Sequence, residues 1–378
     1  MKVIVIGAGI MGLSAAWALQ RDGHQVTVYE KGEIPNHQGS SVDQHRLIRF
    51  PYGDQLGYTC MVFDAYQAWE KLWRDIGRKF YVQTGTLILA GENADREWVT
   101  SSAITLEKLN LPTRWLQADQ LKDNFPLFLF NDIESALYLQ SGGVLLAEQI
   151  IKALSQHLKN RGVTFHTQTM VSEIDVERAR IVLANKNIVD ADILIVAAGP
   201  WINNLLPDFS GRVTPSRQVI IYLEAPALLA AKWARTPMVF DFDLSSGFYM
   251  VPSVLGTQIK VGDHNFTMTG TPDSERFVQE AEAYAIYKLC QRRLKNFNQY
   301  HFKGARTCFY TVAPQERFIV ESKGSSWIMT GFSGHGFKFG PLLGLALAET
   351  IAGHHHKYEL SQWAAGRSTE LFANVAIA

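Results

Sequence analysis

The first thirty residues constrain this chain more than any other stretch. An apolar, β-branched run, Val3-Ile4-Val5-Ile6, leads into Gly7-Ala8-Gly9-Ile10-Met11-Gly12 and then a small-residue helical segment, Ser14-Ala15-Ala16-Trp17-Ala18-Leu19. A second apolar run, Val26-Thr27-Val28-Tyr29, ends in Glu30, 18 residues after Gly12. A lone glycine motif marks only a turn, but strand, glycines, helix and acid in this order describe a β-α-β unit. The glycines let the backbone turn tightly and approach a pyrophosphate, the helix dipole faces that phosphate, and the acid accepts hydrogen bonds from an adenosine ribose. Gly7, Gly9, Gly12 and Glu30 are therefore expected to bind a dinucleotide.

At 378 residues two domains are expected. Lys plus Arg and Asp plus Glu are both 36, so no basic surplus points to a nucleic-acid partner. No apolar run approaches the ~20 residues of a membrane span. The first strand begins at once, so no secretory leader is expected. Cys60, Cys290 and Cys308 are odd in number and widely spaced, which suits a reducing compartment and a cytoplasmic protein better than a disulfide framework. His354-His355-His356 reads as a polar turn, and no metal site is expected.

Past Glu30, residues 32–53 are rich in Gly, Ser, Asn, Gln and Pro, and read as a long functional loop. Helices are predicted over Leu56–Ile76, Ala147–Asn160, Leu342–Ala352 and near Ser274–Leu294, from apolar residues recurring at three and four. Ile193-Leu194-Ile195-Val196, ending in Ala197-Ala198-Gly199, reads as a buried strand that returns to the nucleotide-binding fold. Residues 213–262 turn strand-rich, as a largely antiparallel second domain would be. The expected fold is α/β: a Rossmann-like FAD-binding domain (1–83, 142–212 and 322–378) interrupted by a substrate domain of antiparallel sheet and helices (84–141 and 213–321). A nucleotide fold that is interrupted and resumed fits FAD better than NAD.

The chain resembles the monomeric sarcosine oxidase and N-methyltryptophan oxidase family, within the D-amino-acid-oxidase-like flavoproteins. The resemblance runs to about Gly344. Beyond the opening motif it is carried by Gly39-Ser40 through Arg46 and Arg49 to Tyr52-Gly53, Ser141-Gly-Gly-Val144, Pro215-Ser-Arg217, Lys260-Val-Gly262-Asp-His264, Gly304-Ala-Arg-Thr-Cys308-Phe-Tyr310 and Gly331-Phe-Ser-Gly-His335-Gly-Phe-Lys338. The resemblance implies FAD joined covalently through Cys308, with Arg46 against the flavin, and Val171, Gly334, His335, Gly336 and Lys338 also in the cofactor site. It implies that Arg49 and Lys338 hold a substrate carboxylate, that Lys260 assists oxygen, and that His264, Tyr249 and Tyr310 stand near the substrate. Read from position alone, Lys260 lies in an alternating strand and would point to solvent, and Cys308 would be a small buried apolar residue.

Two departures bear on substrate identity. The family's His-His-Gly-Asp-Thr stretch reads Ser41-Val42-Asp43-Gln44-His45 here, leaving His45 as a partial replacement for a flavin-side histidine. Asp241, in Met238-Val-Phe-Asp241, is an acid at the expected pocket wall that could pair with a second cationic group. The expectation is a monomeric FAD-dependent oxidase that converts a carboxylate-bearing amine to an imine and reduces oxygen to hydrogen peroxide. The alternatives are a related oxidase or dehydrogenase that uses another acceptor, and a catalytically silent flavoprotein subunit.

Overall fold

The computed structural model describes residues 1–91, 94–273 and 276–369. The opening unit forms as its sequence requires: β1 (Lys2–Ile6), α1 (Ile10–Arg21) and β2 (Gln25–Tyr29), with β1 and β2 parallel and in register. They lie within a six-stranded sheet ordered Ile319–Lys323, Ser326–Thr330, Ile193–Val196, β1, β2, Thr164–His166. All its pairs are parallel except the edge hairpin of the first two strands. Ile10 to Leu19 of α1 are all buried, as an apolar helix without a polar face must be. One side of α1 meets the helix Gly340–Ile351, where a Cβ on Gly344 would overlap the Ser14 backbone. Glycine is thus what lets these two helices approach.

The helix Leu56–Ile76 runs over the residues its periodicity predicts and stops at Gly77, whose φ of 73° supplies the left-handed cap. Ala147–Asn160 also matches, while the later two begin at Gly340 and Glu280. His354–His356 lies at a turn, and His356 caps the helix Lys357–Ala364.

The second sheet has eight strands, ordered His301–Val312, Thr214–Glu224, Ile259–Asp263, Phe248–Val251, Met238–Asp241, Thr86–Gly91, Ile133–Leu139, Arg114–Gln117. Every pair is antiparallel except Met238–Asp241 with Thr86–Gly91. Its rear face is closed by Trp233, Phe248, Ile259, Val261, Ile286 and Leu294. The loop expected over residues 32–53 is not wholly irregular: Arg46–Ile48 is a strand, paired with Gly143–Leu145, which also pairs with Tyr81–Gln83. A run of three is too short to show periodicity, so only the partner strand reveals it.

Candidate active site

A long cleft runs past the C-terminal end of β1, lined by Gly7, Ala8, Gly9, Ile10, Met11, Glu30, Val171, Ala197, Gly334 and Gly336 among others. Gly7 has φ +96°, and a Cβ there would overlap the Ala197 carbonyl oxygen, so no side chain stands between backbone and cleft. Gly9, at the α1 N-cap, has no side chain to cap the helix; the Ile10 amide donates to Ser41 Oγ (2.9 Å) from the loop. Glu30 is buried; its Oε2 accepts from the Ala8 amide (2.8 Å), and Oε1 accepts from Gly32 N and Asn36 Nδ2 (both 2.9 Å). A glycine cradle, a helix N-terminus and a fixed acid are what the two phosphates and the ribose of a dinucleotide require. Gly12 corrects one expectation. It does not line the cleft; a Cβ there would overlap Gly7 O, so its role is the close packing of α1 on β1.

A second cavity of about 260 Å³ joins the first through a shared wall of Arg46, Tyr310, Ser333, Gly334 and Phe337. Its lining includes Arg49, Lys260, His264, Tyr249, His335 and Lys338. Residues nearly three hundred positions apart therefore meet as the resemblance implies. Tyr52 and Phe240 also line it, from stretches the sequence singles out without giving these two residues a role; Trp98, Phe242 and Glu316 give no sequence signal, because aromatic and acidic residues there look like ordinary core or surface.

Arg49 and Lys338 carry the strongest electrostatic signal. Arg49 lies against the rings of Tyr52, Trp98 and Phe240 (4.8, 5.6 and 5.1 Å to centroid) and donates to Pro51 O. Lys338 Nζ donates to Tyr52 Oη (2.8 Å) and His335 O (3.1 Å). Among the described residues neither forms an ion pair. Burial, reinforced by Arg49, pushes the Lys338 ammonium well below its ordinary range; burial also lowers Arg49. Glu316 lines the same cavity and raises Arg49 electrostatically, but among the described residues no carboxylate lies within ion-pair distance of either side chain, so an anion entering between them relieves both. Trp69 Nε1 donates to Lys338 O (2.7 Å), and beside Tyr52 the Gly53 amide donates to Ser102 Oγ (2.8 Å) while Thr105 Oγ1 donates to Gly53 O (3.0 Å).

Lys260 corrects the solvent expectation. Strand alternation does place it opposite Ile259 and Val261, but the face it occupies is covered by residues 43–46, and Lys260 is 2% exposed. The same alternation moves Asp241 away from the cavity. Phe240 faces inward, whereas Asp241 lies behind the sheet and accepts from Arg293 Nε (2.8 Å) and Nη2 (2.7 Å). It is therefore unavailable to substrate. His45 lines neither cavity; it is buried, with Nε2 against Gln258 O at 3.0 Å, and does not replace a flavin-side histidine.

His264 stacks on Phe242 (4.8 Å, 2°), and burial lowers it to about 4, so the ring is neutral at physiological pH. Burial, with Lys338 and Arg49, likewise keeps His335 neutral. Tyr249 and Tyr310 are raised, chiefly by burial, and stay protonated. Cys308 is 4% exposed and lines neither cavity; its Sγ lies 3.8 Å from Arg46 Nη2, and Arg46 borders both.

A dinucleotide cradle opening onto a cation-bearing substrate cavity defines a flavin-dependent oxidoreductase. Residues 2–350 match the family model described as FAD dependent oxidoreductase, and the chain belongs to that family. It is 27% identical to a monomeric sarcosine oxidase of Bacillus sp. (strain NS-129) and 28% identical to the peroxisomal sarcosine oxidase of Mus musculus, in each case over 97% of this chain and 96% of the relative. An N-methyl-L-tryptophan oxidase of Yersinia pestis (strain Pestoides F) is 24% identical over 90% of this chain and 92% of its own. Among solved structures, the L-proline dehydrogenase of P. horikoshii superposes with a TM-score of 0.82 at 20% identity, over 97% of this chain and 96% of that one. NikD, an amino acid oxidase of nikkomycin biosynthesis, gives 0.81 at 19%, with 96% of both chains covered. Among the described residues no helix is long and apolar enough to cross a membrane.

Proposed function

We propose that this enzyme oxidises a small amine bearing a carboxylate, in the manner of the sarcosine oxidases it resembles, and uses oxygen as the electron acceptor. The observation that carries the reading is the pair of basic side chains, half-buried Arg49 and buried Lys338, facing one cavity with no carboxylate within ion-pair distance of either among the described residues. FAD, when bound, would accept the hydride equivalent from the carbon beside nitrogen and return the electrons to oxygen. Arg49 can grip a carboxylate through two parallel N–H donors, and Lys338 adds a compact charge. Trp98, Phe240, Phe242, Tyr249 and Tyr310 exclude water and fix the remainder of the substrate. Lys260 supplies the buried positive charge that stabilises reduced oxygen as it forms.

Gly7, Gly9 and Glu30 would hold the adenosine and pyrophosphate end, and Val171, Arg46, Gly334, His335 and Gly336 the remainder. Residues 1–83, 142–212 and 322–378 form the cofactor domain in this reading, with 84–141 and 213–321 as the substrate domain. The family resemblance supports a covalent link at Cys308. Acid precipitation of the purified holoprotein should carry the yellow colour into the pellet, and flavin left in the supernatant would exclude the link. The three free cysteines support a reducing, cytoplasmic setting, and the monomeric relatives a monomer.

The deciding assay is peroxide production over a panel of N-methyl and cyclic amino acids, each paired with its decarboxylated amine. Turnover should require the carboxylate. Equal rates on the decarboxylated partners would refute the reading. Replacing Lys260 by Met should slow reoxidation by oxygen strongly; no effect would favour a dehydrogenase.

A further inference from the structure

Asp43 stands one position before the acid of the resembling family's stretch, and it organises the floor of the site. Its carboxylate is 1% exposed and accepts from Lys260 Nζ (3.0 Å), Tyr222 Oη (2.5 Å), the Gln44 amide (2.7 Å) and Arg46 Nη1. Tyr222 and Lys260 are directly opposite across two strands, so one carboxylate caps both side chains. The loop carrying Asp43 is fastened two residues before Lys260. Gln44 Nε2 donates to Gln258 Oε1 (2.9 Å), the Gln258 amide donates to Gln44 Oε1 (2.8 Å), and His45 Nε2 meets Gln258 O.

We infer that Asp43 is the positioning residue for Lys260: it fixes the amine at one point beside the cavity and keeps it an ammonium. This rests on the reading of Lys260 as the charge that assists oxygen. The geometry leaves Lys260 little freedom. Two of its three N–H donors go to Asp43 Oδ2 and to His45 O (2.7 Å), leaving one for the cavity that Lys260 lines. The other ionisable groups near it are Arg46, on the same loop, and Cys308 and Tyr310, on the strand His301–Val312. His45, on the loop with Asp43, and Tyr249 and Tyr222, on the strands flanking its own, complete the set. Among the described residues Asp43 is the only carboxylate paired with Lys260. Burial and Arg46 drive the lysine toward the neutral amine, and Asp43 opposes them, leaving it at about 8. Burial alone would protonate Asp43, but Lys260 and Arg46 hold it well below the usual carboxylate range. One acid between two cations leaves the cluster a single net positive charge.

The test follows Lys260 itself. Holoprotein labelled with 13Cε-lysine is titrated by NMR, and the Lys260 resonance is identified by its loss in Lys260→Met. The wild-type midpoint should fall near 8, and Asp43→Asn should lower it by about 1–3 pH units. An unchanged midpoint in Asp43→Asn overturns the inference. If that variant does not fold, the wild-type titration decides alone, because an amine already neutral below pH 6 would show that Asp43 does not hold the charge. Reoxidation by oxygen, followed against pH, separates this inference from the function it rests on. A shifted midpoint with an unchanged reoxidation profile would uphold Asp43 as the positioning residue and refute the oxygen role of Lys260.

Discussion

Lys338 shows how a single residue carries functional information through its environment. The site without substrate disfavours its ammonium, through burial and through Arg49. A carboxylate bound between the two favours the charged form, so binding must take up a proton wherever Lys338 starts neutral. The sign follows directly: affinity for a carboxylate inhibitor falls as pH rises through the range in which free-site Lys338 loses its proton, and binding absorbs protons there. Calorimetry in two buffers of different ionisation enthalpy should show net uptake in the wild type, and Lys338→Met should abolish it. Net release would contradict the assignment. Asp43 and Lys260 form the complementary case, in which the counter-ion belongs to the protein and the ammonium persists without substrate up to about pH 8.

At the scale of elements, the strand Met238–Asp241 serves two unrelated ends because its side chains alternate. Phe240 faces the substrate cavity, while Asp241 faces the helix Glu280–Arg293 and joins Arg293, which also bonds Asp132. Truncating Asp241 leaves the buried Arg293 with only the exposed Asp132 as counter-ion. Asp241→Ala should therefore cost stability, read from urea unfolding, by less than the ~3–5 kcal/mol of a fully broken buried pair. KM should hardly change in the protein that still folds. A large KM effect with unaltered stability would return Asp241 to the substrate site.

The whole molecule closes on its cofactor. The cleft takes residues from 6 to 46, 169 to 205 and 310 to 337, so FAD would tie together segments distant in the chain. A ligand that binds only the folded state stabilises it by about 2.7 kcal/mol at a hundredfold excess over Kd. Protein produced flavin-free should melt several degrees below the holoprotein in scanning fluorimetry, and recover on addition of FAD. Equal melting with and without FAD would mean that the cleft is not its site.

The sequence by itself determined the β1-α1-β2 cradle, the helix Leu56–Ile76 and the family motifs, because each rests on local rules: strand and helix periods, glycine conformation and motif order. Strand alternation, also local, separates Lys260 from its neighbours Ile259 and Val261, but read alone it sends Lys260 to solvent. What covers a face is not local. Only the tertiary structure decided that Lys260 is buried beneath Asp43, that Asp241 belongs to Arg293, that Gly12 packs a helix, and that Arg49 and Lys338 share a cavity with no carboxylate in ion-pair contact among the described residues. Charge state depends on desolvation and on neighbours hundreds of residues away, and those exist only once the two sheets have closed over the site.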